Sequence, residues 1–270
     1  MTIPTFEQIE ALVSATGRSD FPYLRHHYPR FRYTKAEFDR GWRRSGPREV
    51  VLDVGAHWLH QSLLYALDDY EVIATDLPTT LEDDAVKQLA GQTGIRLLPN
   101  ADLERPAPAL ASLPDNSVSI VLFTEILEHI TFNPVEMWRE IYRVLRPRGR
   151  IIVTTPNFYA WRGRCWEFGR FFKRFGAGLS AYEIVNTPTF GHHWKEYSLR
   201  EIIYYFCILS PDFNVTKALH VPEYAKGYLG VPDTAISKLV EKAVRILRPN
   251  VHLEVEIREK NAGITAKPAW

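Results

Sequence analysis

From residue 49 onward, short apolar segments alternate with stretches of helical pattern, and this alternation constrains the fold more than any other feature of the chain. The segment EVVLDVG, residues 49–55, is rich in Val and Leu and ends at a glycine, as buried strands often do. Strands that alternate with helices favour a mostly parallel sheet with helices on both faces. We therefore predict an α/β fold. Further strands are predicted at 71–77, 94–103, 117–126, 150–157, 213–221 and 252–260.

Helix signals are clearest at residues 133–149, where Asn133 can cap the first turn and Glu136 lies near the positive end of the helix dipole. In the N-terminal region, residues 1–48, one short segment at 6–15 is amphipathic, and the remaining residues show no clear hydrophobic period. We therefore assign residues 1–48 to an N-terminal arm or cap and residues 49–270 to the main domain. The other predicted helices are amphipathic segments at 6–15, 198–206 and 234–247.

Charge and cysteine content argue against several classes of protein. The 33 basic and 32 acidic side chains give a net charge of +1, which disfavours a nucleic-acid-binding protein. Two cysteines cannot form a framework of several disulfides, and such low usage is typical of the reducing cytoplasm. The start lacks a signal-peptide pattern, and the apolar run at 202–209 is too short to span a bilayer. We expect a cytoplasmic protein without a transmembrane segment.

Polar residues collect at the carboxyl ends of the predicted strands. They are Asp53–Gly55, Asp76, Asp102, Glu125 and Pro156–Asn157. In open parallel sheets these ends meet at one edge, and ligands bind beyond it, near the point where strand order reverses. The pattern therefore predicts a ligand site at this edge.

Around these residues the chain resembles a known family. A strand, an Asp-x-Gly turn, a helix, a second strand with a terminal acid, a later LEH and the segment EIYRVLRPRGRIIVTTPN are similar to the class I S-adenosylmethionine (SAM) dependent methyltransferases. The resemblance covers about residues 49–215. It implies a Rossmann-like fold with a mostly parallel seven-stranded sheet and SAM as the methyl donor. The positions that it assigns to the cofactor are Asp53, Gly55, Asp76, Asp102, Leu103 and Phe123.

The resemblance also suggests a role for most of these positions. Asp53 and Gly55 would lie near the methionine part of SAM, and Asp102 with Leu103 near the adenine. Asp76 would bind the ribose hydroxyls, since a carboxylate accepts both hydroxyl protons.

The turn after the first strand departs from the family pattern. It reads Gly-Ala-His-Trp-Leu-His over 55–60, with only the first glycine of a glycine-rich turn. Glycines there let the backbone approach the ligand closely. His57 and Trp58 would require another chain path or would pack over the cofactor. A non-catalytic SAM-fold binding protein therefore stays an alternative.

The segment TEILEHI, residues 124–130, carries the candidate chemistry. In a helical turn Glu125, Glu128 and His129 are at i, i+3 and i+4 and face the same way. Two close carboxylates repel each other unless a cation lies between them. The spacing resembles the metal site of small-RNA 2′-O-methyltransferases and of ubiquinone-pathway O-methyltransferases. That resemblance implies a fourth ligand at His193, with His192 as the close alternative.

A divalent cation at this site would stabilise an alkoxide as it forms, which suits O-methylation of a hydroxyl next to a second oxygen. Two carboxylates, two imidazoles and two substrate oxygens would give six ligands, which favours Mg²⁺ or Mn²⁺. If no metal binds, Glu128 and His129 would orient the substrate, and His129 or His193 would act as general base.

The acceptor is expected to contact residues 158–190, a segment in which aromatic side chains alternate with arginines. This segment could be an amphipathic lid, a wall that stacks on sugar rings or nucleobases, or a peripheral membrane contact. We rank a sugar or oligosaccharide first, as in polysaccharide biosynthesis, a catechol-like molecule second and RNA third. A metal-free N- or C-methyltransferase is a further alternative. The predicted substrate residues are Asn157, Tyr159, Trp161 and His192.

Overall fold

The computed structural model describes residues 3–18, 21–46, 48–99, 102–105, 107–161, 165, 172, 174, 178–222 and 235–268. The strands are β1 (Val50–Val54), β2 (Glu71–Asp76), β3 (Arg96–Pro99), β4 (Val118–Thr124), β5 (Leu145–Pro156), β6 (Phe213–Val221) and β7 (Asn250–Ile257). The helices are α1 (Phe6–Ser14), α2 (Phe21–Gly41), α3 (His60–Ala66), α4 (Pro78–Leu81), α5 (Asp84–Thr93), α6 (Ala107–Leu110), α7 (Val135–Val144), α8 (Ala181–Asn186), α9 (Leu199–Leu209) and α10 (Ala235–Ala243). Short 3-10 turns lie at Leu127–His129, Thr189–Gly191 and Arg245–Leu247.

The seven strands form one sheet in the order β3-β2-β1-β4-β5-β7-β6. Strand β7 runs antiparallel to both β5 and β6, and the other neighbours pair in parallel. This confirms the predicted Rossmann-like, mostly parallel seven-stranded sheet. Strand order reverses between β1 and β4, so a ligand site is expected at the carboxyl ends of these two strands.

Each face of the sheet is covered by helices, which gives two apolar cores. On one face Trp138 of α7 and Phe206 of α9 pack with the sheet residues Phe123 and Leu253. On the other face the side chains of α1, α2, α3 and α5 pack on Val51, Ile120 and Ile152. Strand β4 is central and buried on both faces, which explains its unbroken apolar sequence.

Helix α2 is the longest of the described helices that the sequence pattern did not predict. Its buried face includes polar side chains, so no apolar period stands out. Lys35, for example, is fully buried and donates to Asp39 at 2.7 Å and to Asp68 at 2.6 Å. A buried ammonium requires such partners, and Asp68 comes from the turn after α3. The helix is thus held by ion pairs to distant residues as well as by apolar contacts.

Strand β5 begins at Leu145, five residues before its predicted start, and α7 ends at Val144. The early part of β5 is basic, with Pro147 and Arg148 exposed, so it lacks the continuous apolar pattern of the later residues. Its Leu145 pairs with Val118 of β4 across a register shift. Backbone pairing therefore extends the strand through residues 145–149, which the sequence pattern had assigned to the end of a helix.

Candidate active site

A cavity of about 680 Å³ opens at the carboxyl ends of β1, β2, β4 and β5. The side chains that line it from these strands are Asp53, Thr75, Asp76, Thr124 and Pro156. Helix α2 lies along the same cavity and contributes Tyr23, His26, His27 and Arg30. The cavity therefore lies where strand order reverses, as expected for an open α/β sheet.

The turn between β1 and α3 takes the left-handed conformation at three residues. The angle φ is +74° at Gly55, +48° at His57 and +65° at Leu59. The Gly55 N–H donates to the Thr75 carbonyl at 2.8 Å, and the His57 N–H donates to Asp76 Oδ2 at 2.7 Å. Bulky residues thus adopt conformations that glycine reaches at lower cost, and hydrogen bonds to β2 hold them there.

The large side chains of this turn pack beneath helix α2. The rings of His57 and Trp58 lie 4.2 Å apart, and Tyr23 of α2 lies 5.0 Å from His57 and 5.1 Å from Trp58. The guanidinium of Arg18 lies 4.1 Å from the Trp58 ring. Aromatic and cation–π contacts therefore close this side of the cavity.

Gly55→Ala is expected to destabilise the protein. A Cβ at Gly55 would lie 2.0 Å from Ile126 Cδ1, and its positive φ is unfavourable for any L residue. We expect the free energy of unfolding, measured by urea titration, to fall by about 2–3 kcal/mol. Gly91→Ala on α5 is the matched control, because a Cβ there meets no atom within 4 Å. If Gly55→Ala is as stable as Gly91→Ala, the close contact has no energetic role.

The predicted cofactor positions lie on one wall of the cavity, with a single exception. Asp53, Gly55, Asp76, Asp102 and Leu103 all line it. The prediction for Phe123 is wrong at the level of its side chain, which is fully buried and packs 5.0 Å from the Trp138 ring in the core. Phe123 is the penultimate residue of β4, and its side chain points to the sheet face that α7 covers.

The two carboxylates at the ends of β1 and β2 differ in their surroundings. Asp53 is buried, which raises its pKa to about 7, although the Ser62 hydroxyl donates to it at 2.6 Å and opposes the shift. Asp76 accepts one backbone N–H on each oxygen, from His57 at 2.7 Å and from Leu77 at 2.6 Å. An ionised carboxylate has about four acceptor sites, so Asp76 can still accept the hydroxyl protons of a ribose.

Glu125 has a cationic partner that the sequence did not reveal. Arg30 of α2 contacts its Oε2 at 2.9 Å, while Thr154 and Asn250 donate to its Oε1 at 2.8 and 3.0 Å. The positive charge beside this carboxylate is therefore a guanidinium. Among the described residues, the group able to hold a metal ion does not include Glu125. Glu125 is thus ion-paired with Arg30, and its role as a metal ligand stays a prediction.

Glu128 lies in the 3-10 turn Leu127–His129 and is fully buried. Its Oε2 accepts the Thr155 hydroxyl at 2.8 Å, whereas its Oε1 has no hydrogen-bond partner among the described residues. Burial first, and the nearby charge of Glu125 second, raise the pKa of the Glu128 carboxyl well above its usual range. A buried oxygen without a partner is costly, and a bound cation or proton would relieve that cost.

His129 is held in one tautomer by the chain around His192. Its Nδ1 lies 3.0 Å from the His192 carbonyl oxygen, which can only accept, so Nδ1 carries the proton. The Nε2 atom therefore has the lone pair, and it lies 4.0 Å from Glu128 Oε1. Burial, followed by the proximity of His193, lowers the pKa of His129, which favours the neutral form needed in a ligand or base.

His193 reaches the turn from 64 residues away because its neighbours dock on Glu128. The Trp194 N–H donates to the Glu128 carbonyl at 2.8 Å. One ligand atom each of Glu128, His129 and His193 lies within 4.8 Å of the others. Two ligands of one ion at 2.0–2.2 Å are at most about 4.4 Å apart, so the group would contract slightly on binding. These residues fit a divalent cation in both donor type and position.

The predicted substrate residues divide into two pairs. Asn157 and Trp161 line the cavity, whereas Tyr159 and His192 do not. The side chain of His192 is buried, and its Nε2 lies 3.0 Å from the Glu183 carbonyl. It cannot contact a substrate, and its contribution is the backbone carbonyl that orients His129. The predictions for Tyr159 and His192 are therefore not supported by their placement.

Asn157 has a positioning role in addition to lining the cavity. Its amide donates to the carbonyls of Ile246 and Arg248, both at 2.7 Å, so it joins the end of β5 to the turn after α10. Much of the predicted lid lies outside the described residues, namely Arg162, Arg164, Trp166, Phe168, Arg170, Phe171 and Phe175.

Several residues late in the chain line the cavity although the sequence indicated no site role for them. They include Glu196, Glu241, Pro249 and Asn250. Glu241 belongs to α10 and Asn250 begins β7, both far along the chain from the strand-end motifs. The antiparallel insertion of β7 beside β5 brings them to the cavity, and no local pattern in the sequence shows that pairing.

Comparisons with known proteins agree with this fold. Residues 52–153 match a family model described as a methyltransferase domain. A curated protein of Mycolicibacterium smegmatis, named "Probable S-adenosylmethionine-dependent methyltransferase", is 37% identical over 59 residues. That alignment covers 22% of this chain and 23% of the relative, so the chain matches under a quarter of that protein's length.

Solved structures extend the similarity to most of the chain. An S-adenosylmethionine dependent methyltransferase from Mesorhizobium loti has 14% identity and a TM-score of 0.53, over 86% of this chain and 97% of that one. A geranyl diphosphate methyltransferase has 14% identity and a TM-score of 0.56, over 87% of this chain and 80% of that one. At such identities the similarity is one of fold. The protein therefore has the Rossmann-like fold of the class I SAM-dependent methyltransferases, and residues 52–153 match the model of a methyltransferase domain.

Proposed function

We propose that the protein transfers the methyl group of SAM to a hydroxyl of a diol-bearing small molecule or sugar, with a divalent metal ion bound by Glu128, His129 and His193. In this reaction the acceptor hydroxyl releases its proton to water, and its oxygen bonds to the methyl carbon. The sulfur–methyl bond breaks, and S-adenosylhomocysteine leaves. The ion would supply Lewis acidity to the hydroxyl.

One observation carries the metal part of the proposal. The Glu128 Oε1 atom is buried without a hydrogen-bond partner among the described residues, and two imidazoles lie within 4.8 Å of the same place. Because His129 Nδ1 is engaged by the His192 carbonyl, its Nε2 lone pair is available on the side of Glu128. Fixing a ligand by its second nitrogen is a common feature of metal-binding histidines.

The types of ligand atom in this group indicate which metal ion it would prefer. One carboxylate and two imidazoles leave coordination positions open for substrate oxygens. Imidazole nitrogen suits first-row transition metals better than Mg²⁺, which prefers oxygen ligands. Without Glu125 in the group, Mn²⁺ becomes the better candidate of the two ions that the sequence favoured.

The acceptor side of the cavity supports a sugar or a related polyol. Trp161 and Phe190 offer aromatic faces, and Glu196 and Glu241 add carboxylates to the same wall. Aromatic rings stack on the apolar faces of sugar rings, and carboxylates accept hydrogen bonds from hydroxyls. The chain's net charge of +1 makes RNA the weaker candidate.

A second candidate function is metal-free methyl transfer with His129 as general base. The same tautomer supports it, because a neutral imidazole with its lone pair on Nε2 can accept the proton of an acceptor. Methylation of nitrogen or of an activated carbon would then be possible. Measuring methyl transfer as Mn²⁺ is added to metal-depleted protein distinguishes the two functions, because only the first requires the ion.

Metal depletion is expected to lower the rate of methyl transfer by about two orders of magnitude, and Mn²⁺ is expected to restore it. The measurement is formation of S-adenosylhomocysteine with a panel of catechol and glycoside acceptors, before and after chelation. Full activity in the chelated protein would establish the metal-free alternative.

His193→Ala is expected to weaken Mn²⁺ binding, measured by calorimetry without any acceptor, by about tenfold or more. His192→Ala is the matched control, since it removes the neighbouring imidazole but keeps the carbonyl that orients His129. Equal Mn²⁺ affinity in the wild type and in His193→Ala would contradict the proposed ligand set.

A further inference from the structure

Exposed apolar side chains are concentrated around the mouth of the cavity. Fourteen large hydrophobic side chains are exposed among the described residues, and ten of them lie in residues 159–161, 178–194 and 235–248. We call these three segments the collar. The most exposed examples in the collar are Val185 at 80%, Tyr182 at 76%, Phe190 at 67% and Leu239 at 66%. Exposed apolar groups gathered in this way indicate an interaction surface.

The first and third collar segments are hydrogen-bonded to each other, and each of the three segments contributes to the lining of the cavity. The Trp161 N–H donates to the Leu247 carbonyl at 2.7 Å, which links the first segment to the third. His192 Nε2 lies 3.0 Å from the Glu183 carbonyl, which holds α8 beside the chain that carries His193. Trp161, Phe190 and Glu241 line the cavity itself. The exposed surface is therefore continuous with the entrance for the acceptor.

The third segment of the collar is basic as well as apolar. Residues 235–248 contain four Lys or Arg and one Glu, a net charge of +3 in a chain whose total is +1. The acid, Glu241, lines the cavity, whereas Lys238, Lys242 and Arg245 are exposed among exposed apolar residues. Those apolar neighbours are Leu239, Val244 and Ile246.

Interleaved basic and apolar exposed groups are typical of segments that lie in the interface of an anionic membrane. Lys and Arg side chains near such a surface are attracted to its anionic lipids, and aromatic side chains favour the headgroup region. A partner protein would more often meet a surface poor in lysine. Within the part of the chain that the structure describes, no helix could cross a bilayer, so the contact would be peripheral.

We propose that the collar binds an anionic lipid surface and presents the cavity to the headgroup of a lipid-anchored acceptor. The acceptor would be amphiphilic, with a hydroxyl-bearing polar group on an apolar tail. The collar's membrane contact stands independently of catalysis, whereas the acceptor class depends on the proposed methyl transfer. The large cavity would take the polar group, and the tail would stay in the bilayer.

Vesicle flotation of the full chain without SAM tests the membrane contact. We expect binding to vesicles that contain phosphatidylglycerol, weaker binding at high salt, and little binding to phosphatidylcholine alone. Leu239→Glu should reduce the partition onto anionic vesicles by about tenfold. Ile208→Glu is the matched control, because Ile208 is exposed on α9 outside the collar. It should bind vesicles like the wild type.

Several results would overturn the proposal. One is no binding to anionic vesicles, and another is an equal loss of vesicle binding in Leu239→Glu and Ile208→Glu. A third is a dimer in solution that Leu239→Glu dissociates, which would make the collar a protein–protein interface. Calorimetry of SAM binding in both variants reports whether the fold is intact. Transfer to a water-soluble diol is measured separately, so a failed membrane contact is distinguishable from failed methyl transfer. Preference for a lipid-anchored over a soluble diol acceptor completes the test.

Discussion

Glu128→Gln is expected to reduce the rate of methyl transfer by about three orders of magnitude without loss of the fold. Glutamine has nearly the same size, and its oxygen can accept the Thr155 hydroxyl that Glu128 Oε2 now accepts at 2.8 Å. The amide has no charge, so it would hold a cation with His129 and His193 much more weakly, and it cannot exchange a proton as a carboxyl group does. The measurement is the single-turnover rate at saturating SAM.

Stability and cofactor binding distinguish this loss from unfolding. Burial raises the pKa of Glu128, so an ionised carboxylate is unfavourable in the metal-free protein. Glu128→Gln removes that ionisable group, and metal-free protein at pH 8 should become more stable to urea, with SAM affinity unchanged. Glu136→Gln on the exposed side of α7 is the control for both readouts. If Glu128→Gln retains more than about one tenth of the activity, the carboxylate has no direct part in the reaction.

Asp53→Asn is expected to stabilise the ligand-free protein at pH 8 by an amount on the order of 4 kcal/mol. The pKa of Asp53 is raised from 3.8 to about 7, mainly by burial. A carboxyl with a raised folded pKa favours folding below its unfolded pKa, and this contribution is lost as the pH rises through its folded pKa. Between about pH 4 and pH 7 the wild type therefore loses stability that the uncharged amide keeps.

The measurement is urea unfolding of both proteins at pH 4.5 and at pH 8 without SAM. The two should have similar stability at the lower pH and differ at the higher one. We expect the same substitution to weaken SAM binding, because Asp53 lines the cavity at the end of β1. A stability difference that does not depend on pH would show that Asp53 ionises normally in the folded protein. Asp115→Asn, at an exposed carboxylate, is the control.

The strands were predictable because their burial is local to the sequence. Strand β4 has an unbroken apolar sequence because both of its faces are covered. The acid that follows it, Glu125, was expected at the ligand-binding edge because β4 is a central parallel strand. Helix α2 was not predictable, because its buried polar side chains are stabilised by partners such as Asp68. The hydrophobic periodicity of a segment does not show which distant residues its polar side chains will contact.

The same distinction applies within the site. The spacing of Glu125, Glu128 and His129 indicates two neighbouring carboxylates, as found, but it does not show which cation pairs with Glu125. Arg30 supplies that charge at 2.9 Å from a helix with no visible pattern. The choice between His192 and His193 likewise depends on contacts between distant segments. The Trp194 N–H donates to the Glu128 carbonyl, which places the adjacent His193 beside Glu128 and His129, whereas the His192 ring contacts the Glu183 carbonyl in α8.

The apolar side chains of α1 and α2 form one core with the sheet residues Val51, Ile120 and Ile152. A truncated protein that starts at Glu49 would therefore lose two of the helices that cover one face of the sheet. Such a fragment would present bare apolar surface to water and would also lose the guanidinium that neutralises Glu125. Any shortened version of this protein, for crystallisation or for engineering, should keep its first two helices.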